Sequence, residues 1–153
     1  MKAAASLPAG VKQGELFKAE TTWFHMFKYL IDSGDLARLD GSAVKCYLVI
    51  KSHTNFATGR AFPGIETIME AAGLSESQTI RCIKQLEALG YITKLKEGRK
   101  NVYTLREKVH VTDEQGRPAA VASWDYIPGS VRDAVADLKN VVLAGDLAGA
   151  KIV

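Results

Sequence analysis

The strongest constraint in the sequence is the middle segment, residues 65–105, in which apolar residues first follow a helical spacing and then alternate. A short helix is predicted over Ile65–Ala72, and Gly73-Leu74 marks a tight turn after it. The next four residues, Ser75 to Gln78, have the form of a capping box, in which the Ser75 hydroxyl accepts a hydrogen bond from the Gln78 amide. The order predicts a helix, a tight turn and a second helix that begins at Ser75.

The second helix is predicted over Ser75–Leu89, and a β-hairpin follows it. Gly90 ends the helix, and residues 91–96 then alternate as a strand does. A turn over residues 97–101 leads into the partner strand, residues 102–105. We expect the helix to bury the four apolar residues that recur at helical spacing: Ile80, Ile83, Leu86 and Leu89.

Positive charge is concentrated in the same part of the chain. The whole chain has a net charge of +3, with a pI of about 8.8. Residues 75–106 contain seven basic and three acidic residues, and seven minus three gives +4. This local excess favours a negatively charged partner. The basic residues are Arg81, Lys84, Lys94, Lys96, Arg99, Lys100 and Arg106.

Two more helices are predicted before this segment. The first covers Leu16–Ser33, ends at Gly34 and has four aromatic residues, Phe17, Trp23, Phe24 and Phe27, mostly on one face. The second begins after Leu39 with Asp40 or Ser42 as its cap, and a polar loop over residues 52–60 follows it. We expect this helix to direct four side chains inward: Val44, Tyr47, Leu48 and Ile50.

Beyond Glu107, two short strands and a last helix are predicted. The strands cover residues 109–111 and 119–124, and a turn over residues 113–118 joins them. The last helix opens at Pro128 and ends at Gly145, with a regular apolar stripe. Either this helix and the aromatic first helix complete the core, or they dimerise, and we favour dimerisation. The stripe consists of Val131, Ala134, Val135, Leu138, Val141 and Val142.

The order of these elements predicts an α+β fold of the winged helix-turn-helix type, with a three-helix core and a β-hairpin wing. An aromatic N-terminal helix precedes it, and a strand and helix extension follows. We expect three regions: a flexible arm over residues 1–15, a winged-helix DNA-binding domain over residues 16–107 and an extension for dimerisation over residues 108–153.

A helix of this kind fits the major groove of double-stranded DNA, where outward side chains meet base edges. Arg and Gln are the types that pair with guanine and adenine in two hydrogen bonds. The predicted base contacts are Gln78, Arg81, Lys84 and Gln85. The predicted DNA-backbone contacts are Ser75, Ser77, Lys94, Lys96, Arg99 and Lys100.

A family resemblance supports this interpretation. The motif over residues 58–63 (TGRAFP), then IETI at 65–68, AGLS at 72–75 and IKQLEALGYI at 83–92, resembles bacterial winged-helix domains. Such domains occur at the front of phage and plasmid replication proteins and in transcription regulators. The resemblance covers residues 39–105 and implies sequence-specific binding of double-stranded DNA, with replication or transcription machinery as further partners. Two positions depart from the pattern, Met69 in place of a small residue and Gln78-Thr79 in place of Thr-Val.

The sequence contains little indication of catalysis or of a cofactor. His25, His53 and His110 are scattered, without the spacing of a metal site, and no glycine-rich phosphate loop or nucleophile elbow is present. We therefore expect neither an enzyme nor a bound cofactor or metal.

The remaining features bear on location and on the rival function. Cys46 and Cys82 lie far apart in sequence, which fits a reducing cytoplasm, and no apolar run is long enough to span a membrane. The rival is a winged helix that binds another protein instead of DNA. Glu76 at the start of the base-contacting helix and the modest pI favour that rival.

Overall fold

The computed structural model describes residues 23–143. The predicted α+β winged helix-turn-helix is confirmed, since three helices form a core and a β-hairpin, residues 92–112, forms the wing. The core helices cover Gly41–Ser52, Ile65–Ala72 and Glu76–Ala88. A single 3-10 turn, Pro128–Ser130, precedes the last helix. The elements are α1 (Tyr29–Asp32), α2 (Asp35–Arg38), α3 (Gly41–Ser52), β1 (Arg60–Ala61), α4 (Ile65–Ala72), α5 (Glu76–Ala88), β2 (Ile92–Glu97), β3 (Lys100–Thr112), β4 (Pro118–Asp125) and α6 (Val131–Leu143).

The turn between α4 and α5 forms as predicted. Gly73 adopts a φ of 68°, a left-handed conformation that glycine takes without steric cost and that ends α4. Ser75 then caps α5, because its Oγ accepts from the Gln78 backbone N–H at 3.3 Å and its own N–H donates to Gln78 Oε1 at 3.1 Å. The capping box therefore sets where α5 begins.

One long strand, β3, organises the sheet. Its first half pairs antiparallel with β1 and β2, and its second half pairs with β4. The separate strand predicted over residues 109–111 is wrong, because residues 105–112 contain no glycine, proline or asparagine to interrupt the strand. The boundary expected after Glu107 falls inside β3, so the wing and the following hairpin share one strand.

The aromatic helix predicted over Leu16–Ser33 is wrong from Trp23 to Phe27, where the chain is not helical. His25 is held by Tyr126, whose hydroxyl lies 3.0 Å from the His25 backbone nitrogen and 2.9 Å from Nδ1. The Phe27 ring packs edge-on against Trp124 at 5.4 Å between centroids. These distant contacts hold the segment in a non-helical conformation against the β4 end of the protein. Residues 1–22, with the predicted arm and the first part of this helix, lie outside the described residues.

Two of the inward directions predicted for the core helices are also wrong. In α3, Leu48 is 37% exposed, and the helix instead buries Ala43, Cys46 and Lys51 beside Tyr47 and Ile50. In α5, Ile80 is 40% exposed. Thr79 takes its place in the core because its hydroxyl donates to the Ser75 carbonyl at 2.9 Å, which leaves only its methyl group to pack. The buried residues of α5 are Thr79, Cys82, Ile83 and Leu86.

A buried ion pair joins α3 to β3. Lys51 Nζ, with 0% of its side chain exposed, forms an ion pair with Glu107, and Tyr47 also donates to Glu107 Oε1 at 2.9 Å. The Lys51 ammonium lies 4.4 Å from the centre of the Tyr126 ring. Burial lowers the pKa of Lys51 and raises the pKa of Glu107, while their mutual attraction opposes both shifts.

The last helix, α6, begins at Val131, after the 3-10 turn that starts at Pro128. Val131 is buried and joins the main core cluster, and Val135 packs against that cluster. The predicted end at Gly145 and the side chains of Val141 and Val142 lie outside the described residues. Within residues 23–143, no helix has the length and apolar character needed to cross a membrane.

Candidate nucleic-acid interface

The outer face of α5 is open to a partner. Its residues Glu76, Ser77, Ile80, Arg81 and Lys84 are exposed, whereas the opposite face is buried against α3 and α4. The two faces follow from the helical period, because residues three and four apart share a side of the helix. A polar and partly basic surface is thus supported by a packed core.

The four predicted base contacts occupy three different places on α5, and Gln78 belongs to the cap at its start. Arg81 and Lys84 are exposed on the outer face. Gln85 lies on the flank, where its Oε1 accepts the Asp40 backbone N–H at 3.1 Å and its Nε2 donates to the Arg38 carbonyl at 3.4 Å. Sequence spacing did not predict this role, because Arg38 and Asp40 are separated from Gln85 by more than forty residues.

The start of α5 combines a cap with free backbone donors. Gln78 Oε1 accepts from both the Ser75 N–H and its hydroxyl, at 3.1 Å each, so the cap uses this oxygen. Ser77 is exposed, with its Oγ 3.3 Å from that of Ser75. The N–H groups of Glu76 and Ser77 occupy the first helical positions, which have no intrahelical acceptor. Such a terminus favours an anion, although the Glu76 carboxylate opposes one here.

The wing directs two lysines toward α5. Side chains alternate along a strand, so Lys94 and Lys96 share the face of Ile92, which is buried. Both lysines line a groove of about 220 Å³ between the wing and the helices. Its other lining residues are Ile65, Ile80, Ile83, Asn101 and Tyr103.

The wing tip is a tight turn with exposed basic residues. Glu97 pairs with Lys100 across the hairpin, and Gly98 adopts a φ of 62° between them. Arg99 and Lys100 are exposed, and Glu97 forms an ion pair with Arg60 of β1. The Glu97 carboxylate is therefore neutralised by Arg60, and the tip keeps the positive charges of Arg99 and Lys100.

Arg106 differs from the other basic residues of the segment. Its guanidinium donates to Asp125 Oδ1 at 2.8 Å and to Ser123 Oγ at 3.0 Å, both on β4. The charge counted for it in the sequence is thus balanced within the second hairpin. The basic surface consists of the outer face of α5 and the wing.

Comparison with known proteins supports the architecture. Residues 37–92 match the family model of a helix-turn-helix domain, from α2 through α5 to the first residue of β2. This part of the chain is therefore similar to helix-turn-helix domains, in agreement with the arrangement of α3, α4 and α5. The β2–β3 hairpin follows it directly and makes the domain winged. No curated protein and no solved structure matches the chain.

The helix-turn-helix core also contains two cysteines that lie far apart in the sequence. Cys46 of α3 and Cys82 of α5 are both fully buried and belong to the same core cluster. Burial raises the pKa of the Cys46 thiol to about 12 and also raises that of Cys82. Protonated thiols are poor nucleophiles, so the pair packs the domain interior. Among residues 23–143, no group of three His, Cys, Asp or Glu side chains is placed to hold a metal ion.

Proposed function

We propose that this protein binds double-stranded DNA in a sequence-specific manner. The observation that supports this most directly is that α5 exposes Arg81 and Lys84 on its outer face. Ile80 of the same face lines a groove whose opposite wall carries Lys94 and Lys96. A helix in the major groove with a cationic wing beside it contacts bases and phosphates together.

The side chains divide into two roles. Arg81 donates two hydrogen bonds to a guanine, and Lys84 contacts an adjacent base. Gln78 and Gln85 already form hydrogen bonds within the protein and contact bases only with their remaining polar groups. We therefore expect each of them to contribute less than Arg81 to the free energy of DNA binding. The phosphate contacts come from Ser75, Ser77, Lys94, Lys96, Arg99 and Lys100.

The protein acts as a homodimer in the cytoplasm, in replication or maintenance of a plasmid or phage, or in transcription regulation. The family resemblance supports these processes, and replication or transcription machinery would then be a further partner. Residues 108–153 supply the dimer contact through Ala134 and Leu138 of the α6 stripe, because Val131 and Val135 pack with the main core. Two copies on half-sites one helical turn apart gain affinity that a single domain lacks.

A second candidate is a protein-interaction module. The exposed carboxylate of Glu76 at the start of α5 favours it, since this charge repels phosphate. So does Leu95, which is 69% exposed on the wing.

Selection from a random-sequence duplex pool, with sequencing of the bound duplexes, tests the proposal. Binding is measured at two salt concentrations, with a single-stranded pool as the control. We expect an enriched motif, in particular an inverted repeat, with an affinity that falls steeply with salt. Salt-sensitive binding without a motif would reduce the protein to a non-specific binder. Absence of duplex binding at low salt would favour the protein-interaction module.

A further inference from the structure

Ile80 is an apolar side chain on an otherwise polar surface. It is 40% exposed, and its neighbours on the outer face of α5 are Ser77, Arg81 and Lys84. Ile83, one turn further along, is only 2% exposed. The domain therefore leaves a large aliphatic group uncovered within the surface proposed to meet base edges.

The position of Ile80 on that surface limits what it could contact. Ile80 lines the groove between α5 and the wing, whose opposite wall carries Lys94 and Lys96. If these lysines hold the phosphates of one DNA strand, Ile80 lies beside the bases of that strand at the edge of the major groove. The apolar group that DNA offers there is the C5-methyl of thymine.

We propose that Ile80 determines specificity by packing against the C5-methyl group of a thymine in the target site. This inference rests on the proposed function, because it requires α5 to occupy the major groove. It assigns to an aliphatic side chain a contact that the charged groups of Arg81 and Lys84 do not make, since a charged group gains nothing from an apolar methyl.

Replacing thymine by uracil tests the contact, because uracil lacks only the methyl group. The probes are two random-sequence duplex pools, one containing thymine and one containing uracil, and then the enriched duplex with single thymines replaced. Each is bound by the wild type and by Ile80→Ala. Leu95→Ala serves as the matched control, because Leu95 is exposed and apolar but lies on the opposite face of β2 from Lys94 and Lys96.

We expect the wild type to prefer thymine at one position and to lose about fourfold in affinity when that thymine becomes uracil. This loss corresponds to the free energy of burying one methyl-sized group. Ile80→Ala abolishes both the preference and the loss, whereas Leu95→Ala keeps them. Ile80→Thr, which retains a γ-methyl group, keeps part of the effect and guards against misfolding of the alanine variant.

Two other results would overturn the inference in distinguishable ways. If the wild type selects a motif but binds the uracil duplexes as tightly at every position, Ile80 makes no methyl contact, while the proposed function stands. The methyl contact is equally excluded if Ile80→Ala keeps the uracil sensitivity of the wild type. If the wild type selects no motif from either pool, the proposed function fails and this inference fails with it.

Discussion

The two hairpins that share β3 use their charged residues differently. In the second hairpin, β3–β4, Arg106 donates to Asp125 at 2.8 Å, and Arg117 Nε donates to Asp113 Oδ2 at 2.8 Å. Lys108 Nζ donates to the Leu89 carbonyl at the end of α5, also at 2.8 Å. Each of these cations therefore has an acceptor within the protein, and Lys108 stabilises the end of α5, where a positive charge is favourable.

In the first hairpin, β2–β3, the basic residues have no such partners. Lys94, Lys96, Arg99 and Lys100 are exposed and form no ion pair with any residue between 23 and 143. A cation that the fold does not neutralise is available to a polyanion, and its binding releases counterions. The comparison shows that a basic side chain is available to DNA only where the protein provides no acceptor for it, whatever its position along the strand.

The largest effect is expected where a cation is buried, at Lys51. Lys51→Met leaves the Glu107 carboxylate buried without its partner, so we expect the free energy of unfolding to fall by about 3–5 kcal/mol. Urea denaturation measures it. Lys45→Met on the exposed side of the same helix is the control, with a change within about 0.5 kcal/mol. The double variant Lys51→Met/Glu107→Leu recovers most of the loss. Equal losses for Lys51 and Lys45 would contradict a role for the pair.

Arg81→Ala tests the exposed face of α5. On the duplex enriched by selection, we expect a loss of about 1–3 kcal/mol in binding and relaxed preference at one base position. Because Arg81 is exposed, the unfolding midpoint stays near that of the wild type. Titrations against the enriched and a random duplex measure the difference. Equal losses on both would show that Arg81 does not contact a base.

Lys100→Ala and Arg117→Ala compare the two hairpins directly. Removing Lys100 from the wing weakens binding to every duplex alike and lowers the salt slope by about one. Removing Arg117 near the tip of the second hairpin leaves both affinity and slope unchanged, because Asp113 already matches its charge. Affinities at several salt concentrations measure both slopes. A flatter slope for Arg117→Ala would mean that DNA extends across the second hairpin.

The smallest effect concerns pH and His25. Burial and the nearby Lys51 lower the pKa of His25 from its usual value of 6.5. Between the lowered pKa and 6.5 the unfolded chain binds the proton and the folded protein does not, so stability rises with pH over that interval and is lost as pH falls. In His25→Asn, the amide oxygen can accept from Tyr126 without titrating, so we expect a shallower pH dependence. Urea denaturation at pH 5 to 7 measures it.

His53→Asn is the control for that pH series. His53 is exposed at the end of α3, where its ring contacts the Val49 carbonyl, and its substitution removes a histidine while leaving the contact of His25 with Tyr126 in place. If His53→Asn flattened the profile as much as His25→Asn, the lowered pKa of His25 would not be the cause of the pH dependence.

The parts predicted correctly from the sequence depend on neighbouring residues. The Ser75–Gln78 box and Gly73 act within one turn of helix, so the bounds of α4 and the start of α5 followed directly. The alternation that begins after Gly90 likewise predicted the hairpin. The parts predicted wrongly depend on distant partners. Trp23–Phe27 has aromatic residues typical of an amphipathic helix, yet contacts with Trp124 and Tyr126 hold it in a non-helical conformation.

The sequence by itself determined the order of elements from α3 to the wing and the local excess of positive charge, because caps, turn residues and apolar period act over a few residues. The tertiary structure alone decided which of those charges remain available. It matched Arg106 with Asp125 and Lys51 with Glu107, and left Lys94 and Lys96 exposed beside α5. The physical reason is that neutralisation and burial depend on groups brought close by packing, and spacing along the chain does not encode that proximity.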